Sequence, residues 1–270
     1  MTRLFLAAAA LALSATTALA GGHCAAGKTL TDGKLTIATG NPAYYPWVMD
    51  DNPASGEGFE AAVAYAVAAE MGFTAEDVVW VRSSFDEAIQ PGAKNFDMNM
   101  QQYSITPERD KVVDFSAPYY AAPMAVLVAG NAAGTAPTMD GLKSLVWGAV
   151  GTTTAVPMLT DTIQPAKAPL LYGDNADVTA AMQAGQIDAA LFDLPTALYL
   201  SAVVVEGSKI LGQFPADRTE NPDQFGMLME EGNPLKACVD EALAALKDAG
   251  ELARIEAKWL QETTGVPLIQ

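Results

Sequence analysis

Beyond residue 33 short β-branched runs alternate with helical patterns, and then the alternation starts again; no other property of the chain restricts its fold as much. Lys34–Thr39 reads as a strand closed by Gly40-Asn41-Pro42. Gly58-Phe59-Glu60 opens an Ala-rich helix, with Phe59, Val63, Val67 and Met71 at helical spacing and Gly72 as its stop. The pattern predicts a strand at Val78–Val81, a short helix at Phe85–Gln90 and a strand at Phe96–Gln101. A βαβαβ order implies a parallel sheet, with a ligand site beyond the carboxyl ends of its strands. A long extended segment, Tyr119–Val128, precedes the restart: strand Leu145–Val150, a helix opened by Gly151-Thr152-Thr153, strand Leu170–Tyr172, helix Val178–Ala184, strand Ile187–Phe192. Phe225–Met229 then reads as one more strand, and Leu235–Ala249 and Leu252–Leu260 as amphipathic helices that return to the first unit. The expectation is an α/β fold of two Rossmann-like lobes. The first takes residues 24–125 and 218–270, the second 126–217, with crossing strands near 123–130 and 212–220 around a cleft that can close on a hinge.

The first twenty residues are expected to be a cleaved leader: Arg3, the apolar run Leu4–Leu13, then Ala18-Leu19-Ala20 as the small-x-small cleavage pattern. That run is too short for a membrane span, and no later stretch reaches spanning length. Lipid attachment at Cys24 would want a small residue before it, where His23 stands. The mature chain is therefore expected to be soluble and exported. A net charge of −17, from 15 basic and 32 acidic residues, argues against nucleic acid and anionic membrane surfaces, which require basic patches. The two cysteines, Cys24 and Cys238, would meet an oxidising compartment, where one disulfide is expected rather than two free thiols. The single histidine lies in the tail and no Cys/His cluster exists, so no metal is expected.

Chemistry concentrates in Ser104-Ile105-Thr106-Pro107-Glu108-Arg109. Thr106 and Pro107 read as the N-cap and first residue of a helix, whose free N–H groups would face a strand end. An arginine in that first turn opposes the helix dipole and makes sense if it faces an anion, most simply a carboxylate held by two parallel hydrogen bonds. A solvated Arg109 beside Glu108 or Asp110 is the alternative. In the second unit, Thr152 and Thr153 follow a strand and offer donors to an anion. Asp193 ends a strand before Leu194-Pro195, where it can hold an ammonium group or serve only as an N-cap. A carboxylate clamp facing an ammonium anchor describes an α-amino acid bridging a cleft.

The stretch SITPERDKVVDFSAPYY is very similar to the signature of family 3 extracellular solute-binding proteins, the polar amino-acid receptors of bacterial ABC importers. NPAYYPW, GFEAAVAYAVAAEMG, GTTT, DAALFD and ELARIEAKW follow in family order, so the resemblance covers residues 34–262. It implies a periplasmic-binding-protein-like II fold and a monomeric periplasmic receptor that delivers an amino acid to a membrane permease, with no catalytic residue and no cofactor. Carried over by position, Arg109 would hold the α-carboxylate with Thr153 and the N–H groups near Ser104. Asp193, Ser104 and the main-chain carbonyl of Gln102 would receive the α-amino group. Tyr44 and Phe85 would wall the ligand, and Asn41 would touch its side chain.

Two departures from the family pattern bear on the ligand. Gln101-Gln102-Tyr103 stands where small residues are usual before SIT. Gln101 shares a strand face with Asn99 and Asp97 and could place an amide on the cleft floor, or Gln102 and Tyr103 could point away and contribute only backbone. Asn41 replaces the Asp that many relatives with cationic ligands carry, which favours a neutral polar or apolar amino acid or a cyclic zwitterion. Competing readings on the same fold are a periplasmic dehydratase and a ligand-sensing module for a signalling receptor. The dehydratase would need a positioned acid or base; Glu60, a first-lobe candidate, is accounted for by the helix dipole.

Overall fold

The computed structural model describes residues 24–214, 223–260 and 265–269. The leader and part of the second crossing segment lie outside the described residues. The first sheet is built from β1 (Leu35–Thr39), β2 (Val78–Arg82), β3 (Met98–Asn99), β4 (Val113–Phe115) and, from the far end of the chain, a strand at Leu228–Glu230. Helix α1 (Phe59–Glu70) and the single turn α2 (Phe85–Ala88) connect its first three strands, and β1 pairs in parallel with both β2 and β3.

β5 (Tyr120–Ala122) and β6 (Met124–Val128) leave that sheet, and the second begins. After α3 (Met139–Lys143) come β7 (Trp147–Val150), α4 (Ala155–Pro157) running into a π-helical turn, β8 (Leu170–Tyr172), α5 (Asn175–Gln183), β9 (Ala189–Asp193), α6 (Leu194–Tyr199) and β10 (Lys209–Phe214). The order across this sheet is β10-β6-β9-β7-β8, parallel among its last three strands. β11 (Asp223–Phe225) pairs antiparallel with β5 as a two-stranded ribbon, β12 (Leu228–Glu230) re-enters the first sheet antiparallel, and α7 (Lys236–Asp248) and α8 (Glu251–Trp259) close the chain. The two-lobed α/β arrangement expected from the alternation is what forms.

Each sheet is covered on both faces. Over the first, Phe59, Val63, Ala64 and Val67 of α1 pack with Val239, Leu243 and Leu246 of α7, while Phe96, Tyr103, Val113 and Phe115 fill the opposite face. Gly58, at the start of α1, has φ +104°, and a Cβ there would lie 2.5 Å from the Trp47 carbonyl oxygen, so only glycine lets the helix start this close to the preceding loop. The expected disulfide is present between Cys24 and Cys238, tying the N-terminal tail to α7.

The structure differs from the sequence pattern in five places. The expected strand Phe225–Met229 is two strands, because Gly226 and Met227 turn under Ser116, whose hydroxyl accepts the Met227 N–H at 2.9 Å. Tyr119–Val128 is likewise divided at Pro123 between ribbon and second sheet. Thr106-Pro107 opens only a three-residue 3-10 turn, Arg109–Lys111, with Thr106 Oγ1 accepting the Arg109 N–H at 3.2 Å; such a turn carries no useful dipole. The helix expected at Gly151 begins at Ala155, since Thr153 turns its N–H and hydroxyl onto the Val150 carbonyl. The last residues also depart from the first lobe: Ile269 joins the core of the second sheet, and Ile269 N–H bonds the Gln213 carbonyl at 3.0 Å.

The Cys24–Cys238 bridge spans a sequence separation of 214 residues. Reducing it should lower stability by about 2–5 kcal/mol, read as a drop in thermal midpoint with thiol labelling to verify reduction. An unchanged midpoint in fully reduced protein would show that the bridge stabilises nothing.

Candidate functional site

A cavity of about 330 Å³ lies between the sheets at the carboxyl ends of β1, β3, β7 and β9. Asn41, Tyr44, Phe85, Gln101, Gln102, Ser104, Arg109, Thr153 and Asp193 all line it. Thr152, the remaining sequence candidate, is exposed at the lip instead. Its hydroxyl donates to Asp86 and its carbonyl accepts from Arg109, so it joins the two lobes rather than lining the cavity.

Arg109 is only 9% exposed. One Nη donates to the Ser104 carbonyl at 2.8 Å, the other to the Thr152 carbonyl at 2.8 Å, and the guanidinium sits 5.4 Å from the centre of the Phe85 ring. Phe85 is held from behind by Tyr103, stacked at 4.5 Å. Five N–H donors less two leaves three on Arg109, enough for a bidentate carboxylate. Among the described residues Arg109 forms no ion pair.

Asp193 fulfils both of its sequence readings: it lines the cavity, and its Oδ1 caps α6 by accepting the Thr196 N–H at 2.8 Å. Burial pushes its carboxyl up to about 6, opposed by the Thr196 N–H and reinforced by the nearby charge of Asp223. Gln101 and Gln102 both face the cavity, while Tyr103 is fully buried and donates to Gln101 Oε1 at 3.0 Å. That bond orients the Gln101 amide nitrogen away from Tyr103 and against Gly40.

Three residues of the site were not picked out from the sequence. Glu60, for which the sequence offers the helix dipole as the account, is 1% exposed and lines the cavity; it accepts the Gln102 N–H at 2.8 Å, the Gln102 side-chain amide and the Tyr119 hydroxyl. Burial raises its carboxyl to about 7 despite those donors. The available signal was an acid in the first turn of a helix whose flanking Phe59, Ala61 and Val63 are all apolar. Asp223, on the ribbon strand β11, accepts the Thr154 hydroxyl at 3.1 Å and lines the cavity, with its pKa also raised by burial. Trp47 packs edge-on against Phe59, Tyr120 and Phe225, each at 5.8 Å, and donates Nε1–H across to the Thr196 hydroxyl at 2.8 Å.

With this geometry in place, the family model for bacterial extracellular solute-binding proteins, family 3, matches residues 35–262. The chain belongs to that family. It is 28% identical to the L-cystine-binding protein TcyJ of Escherichia coli K12 over 221 residues, 80% of this chain and 79% of that protein. It is also 28% identical to an arginine-binding periplasmic protein of Mannheimia haemolytica over 225 residues, 81% of this chain and 88% of that one. Among solved structures it resembles an ancestral arginine-binding protein bound to glutamine, with a TM-score of 0.69, 26% identity, and coverage of 86% of this chain and 100% of that one. These relatives are binding proteins of amino acids.

The buried acids set a pH dependence of stability. Glu60 and Asp193 have folded pKa values above their unfolded ones, so the folded state holds protons that the unfolded chain has released. Their contribution is fully present below about pH 4 and is lost as pH rises through about 6 and 7, on the order of 3 kcal/mol each at the limit. The thermal midpoint of ligand-stripped protein should therefore fall between about pH 5 and pH 8, and the Glu60→Gln/Asp193→Asn double variant should flatten that fall. A midpoint that climbs over the same interval would contradict the assignment.

Proposed function

We propose that this protein is the periplasmic receptor of an ABC amino-acid importer, a monomer that binds one α-amino acid between lobes 24–125/218–270 and 126–217 and delivers it to a membrane permease. The observation that carries this reading is a single cavity lined by both a buried arginine and buried acids. A buried Arg109 with spare donors offers a carboxylate site and Asp193 offers an ammonium site, while the charge of Asp223 is felt by both. Ser104 and the Gln102 carbonyl would complete the ammonium pole, and Thr153 would assist Arg109. Tyr44 and Phe85 wall the ligand, while the amides of Asn41 and Gln101 meet its side chain.

The amide pair favours a neutral polar or apolar side chain, or a cyclic zwitterion, and the glutamine bound to the ancestral relative is of that kind. A cationic side chain is the second reading, supported by Asp86 and Asp174 in the lining, Asp174 near Tyr44, and by the arginine-binding relative.

A thermal-shift screen of ligand-stripped protein against neutral, cationic and amine-free acids separates these readings by mass action. Arg109→Ala should weaken the best amino acid by about 2–5 kcal/mol, since it removes a charged pair from a buried site. Asp193→Asn should weaken the amino acid while leaving affinity for its amine-free analogue nearly unchanged. Near-wild-type affinity in Arg109→Ala, or amine-free acids bound as tightly as amino acids by the wild type, would refute the two-pole reading.

A further inference from the structure

The Glu60 carboxylate is buried without an ion-pair partner among the described residues, yet three donors converge on it. Two of the three come from Gln102, one main-chain and one side-chain. Gln102 has φ +52°, a left-handed conformation unfavourable for a residue with a Cβ, so something must hold it there. We infer that Glu60 is a positioning residue: ionised, it grips Gln102 at two points and fixes its carbonyl for the ligand's ammonium group, and protonation of Glu60 weakens ligand capture. The inference rests on the amino-acid reading of the cleft and goes further by making capture depend on a group outside the two ligand poles.

The donor count supplies the mechanism. An ionised carboxylate can accept all three hydrogen bonds. A protonated one turns one oxygen into an O–H donor, which then opposes an N–H or O–H already pointing at it. The Gln102 main-chain N–H and the Tyr119 hydroxyl both meet Oε1, so a proton on Oε2 leaves those two bonds in place and opposes the Gln102 side-chain amide, whose N–H must turn away and release one of the two points of the grip. The titratable groups facing Glu60 are Tyr119 ahead of β5, Tyr103 beside Gln102, and Asp193 at the end of β9. None of these supplies a positive charge. A ligand ammonium arriving near Asp193 would, and it would favour the ionised form of both acids. Burial raises both acids, Glu60 to about 7 and Asp193 to about 6, and the Glu60→Gln variant separates their contributions.

The test is calorimetric affinity between about pH 5 and pH 8 for the α-amino acid that gives the largest thermal shift. Wild-type affinity should fall below about pH 7, by up to about tenfold per pH unit, and Glu60→Gln should bind more weakly at pH 8 and decline only below about pH 6. Tyr119→Phe removes one donor to the ionised form while keeping the Gln102 grip, and should move the wild-type midpoint to higher pH. Superimposable profiles for wild type and Glu60→Gln overturn the inference while leaving the receptor reading intact. Should Glu60→Gln fail to fold, an unmoved midpoint in Tyr119→Phe overturns it. Binding of no α-amino acid at any pH removes the reading and the inference together.

Discussion

The two-stranded ribbon of β5 and β11 governs how everything else can be arranged. Three registered pairs, Asp223 with Ala122, Gln224 with Ala121 and Phe225 with Tyr120, connect two sheets that share no strand. Its aromatic end forms the floor under Trp47, because Tyr120 and Phe225 both meet the indole edge-on. Trp47 in turn donates to the Thr196 hydroxyl, and the Thr196 N–H caps onto Asp193. A continuous set of contacts therefore leads from the ribbon to Asp193. The acidic end of the same ribbon places Asp223 in the cavity, so hinge geometry and cavity charge are set by neighbouring residues of one strand.

Charge in the cleft is deliberately unbalanced. Asp193, Asp223 and Glu60 face one buried cation, Arg109, and among the described residues none of the four forms an ion pair. Buried charges without partners are costly, and the acids respond by holding protons to higher pH. Hydrogen bonds from Thr196, Thr154, Gln102 and Tyr119 fix the positions of the carboxylates without neutralising them. In the proposed receptor reading, a zwitterion would supply positive charge beside the acids and negative charge beside Arg109. Stability given up in building such a site is recovered on binding, because the polar groups are already oriented when the ligand arrives.

The fold was legible because its information is local and repeated: apolar alternation names the strands, and Gly58, Gly72 and Pro195 punctuate the helices. Motif position also located most cavity residues, since strand ends in an α/β sheet converge on one crevice. The misses have physical causes. Thr106-Pro107 carries a proper helix-start signal, yet β4 begins at Val113 and leaves room for one turn only. Phe225–Met229 is uniformly apolar, and a change of sheet at Gly226 leaves no mark in the hydrophobic pattern. Glu60 was assigned to the helix dipole because position within a helix is readable from sequence, whereas the approach of Gln102 and Tyr119 from distant segments is not. Asp223 lies beside a crossing segment that has no motif of its own.

In the proposed receptor reading, the orientation of Arg109 would link ligand capture to closure. One of its two carbonyl partners, Ser104, belongs to the first sheet's side of the cleft, and the other, Thr152, follows β7 of the second. With only Ser104 engaged the guanidinium can swing about one hydrogen bond, and a carboxylate would meet it in many poses. With Thr152 also engaged, and Thr152 bound to Asp86 of the first lobe, the donors left over point in one direction. A carboxylate would then bind best to the conformation in which the lobes are together. A ligand shifts a conformational equilibrium by its difference in affinity for the two states and no more. Placing the carboxylate clamp on a side chain that needs both lobes for its own alignment is a direct way to make that difference large.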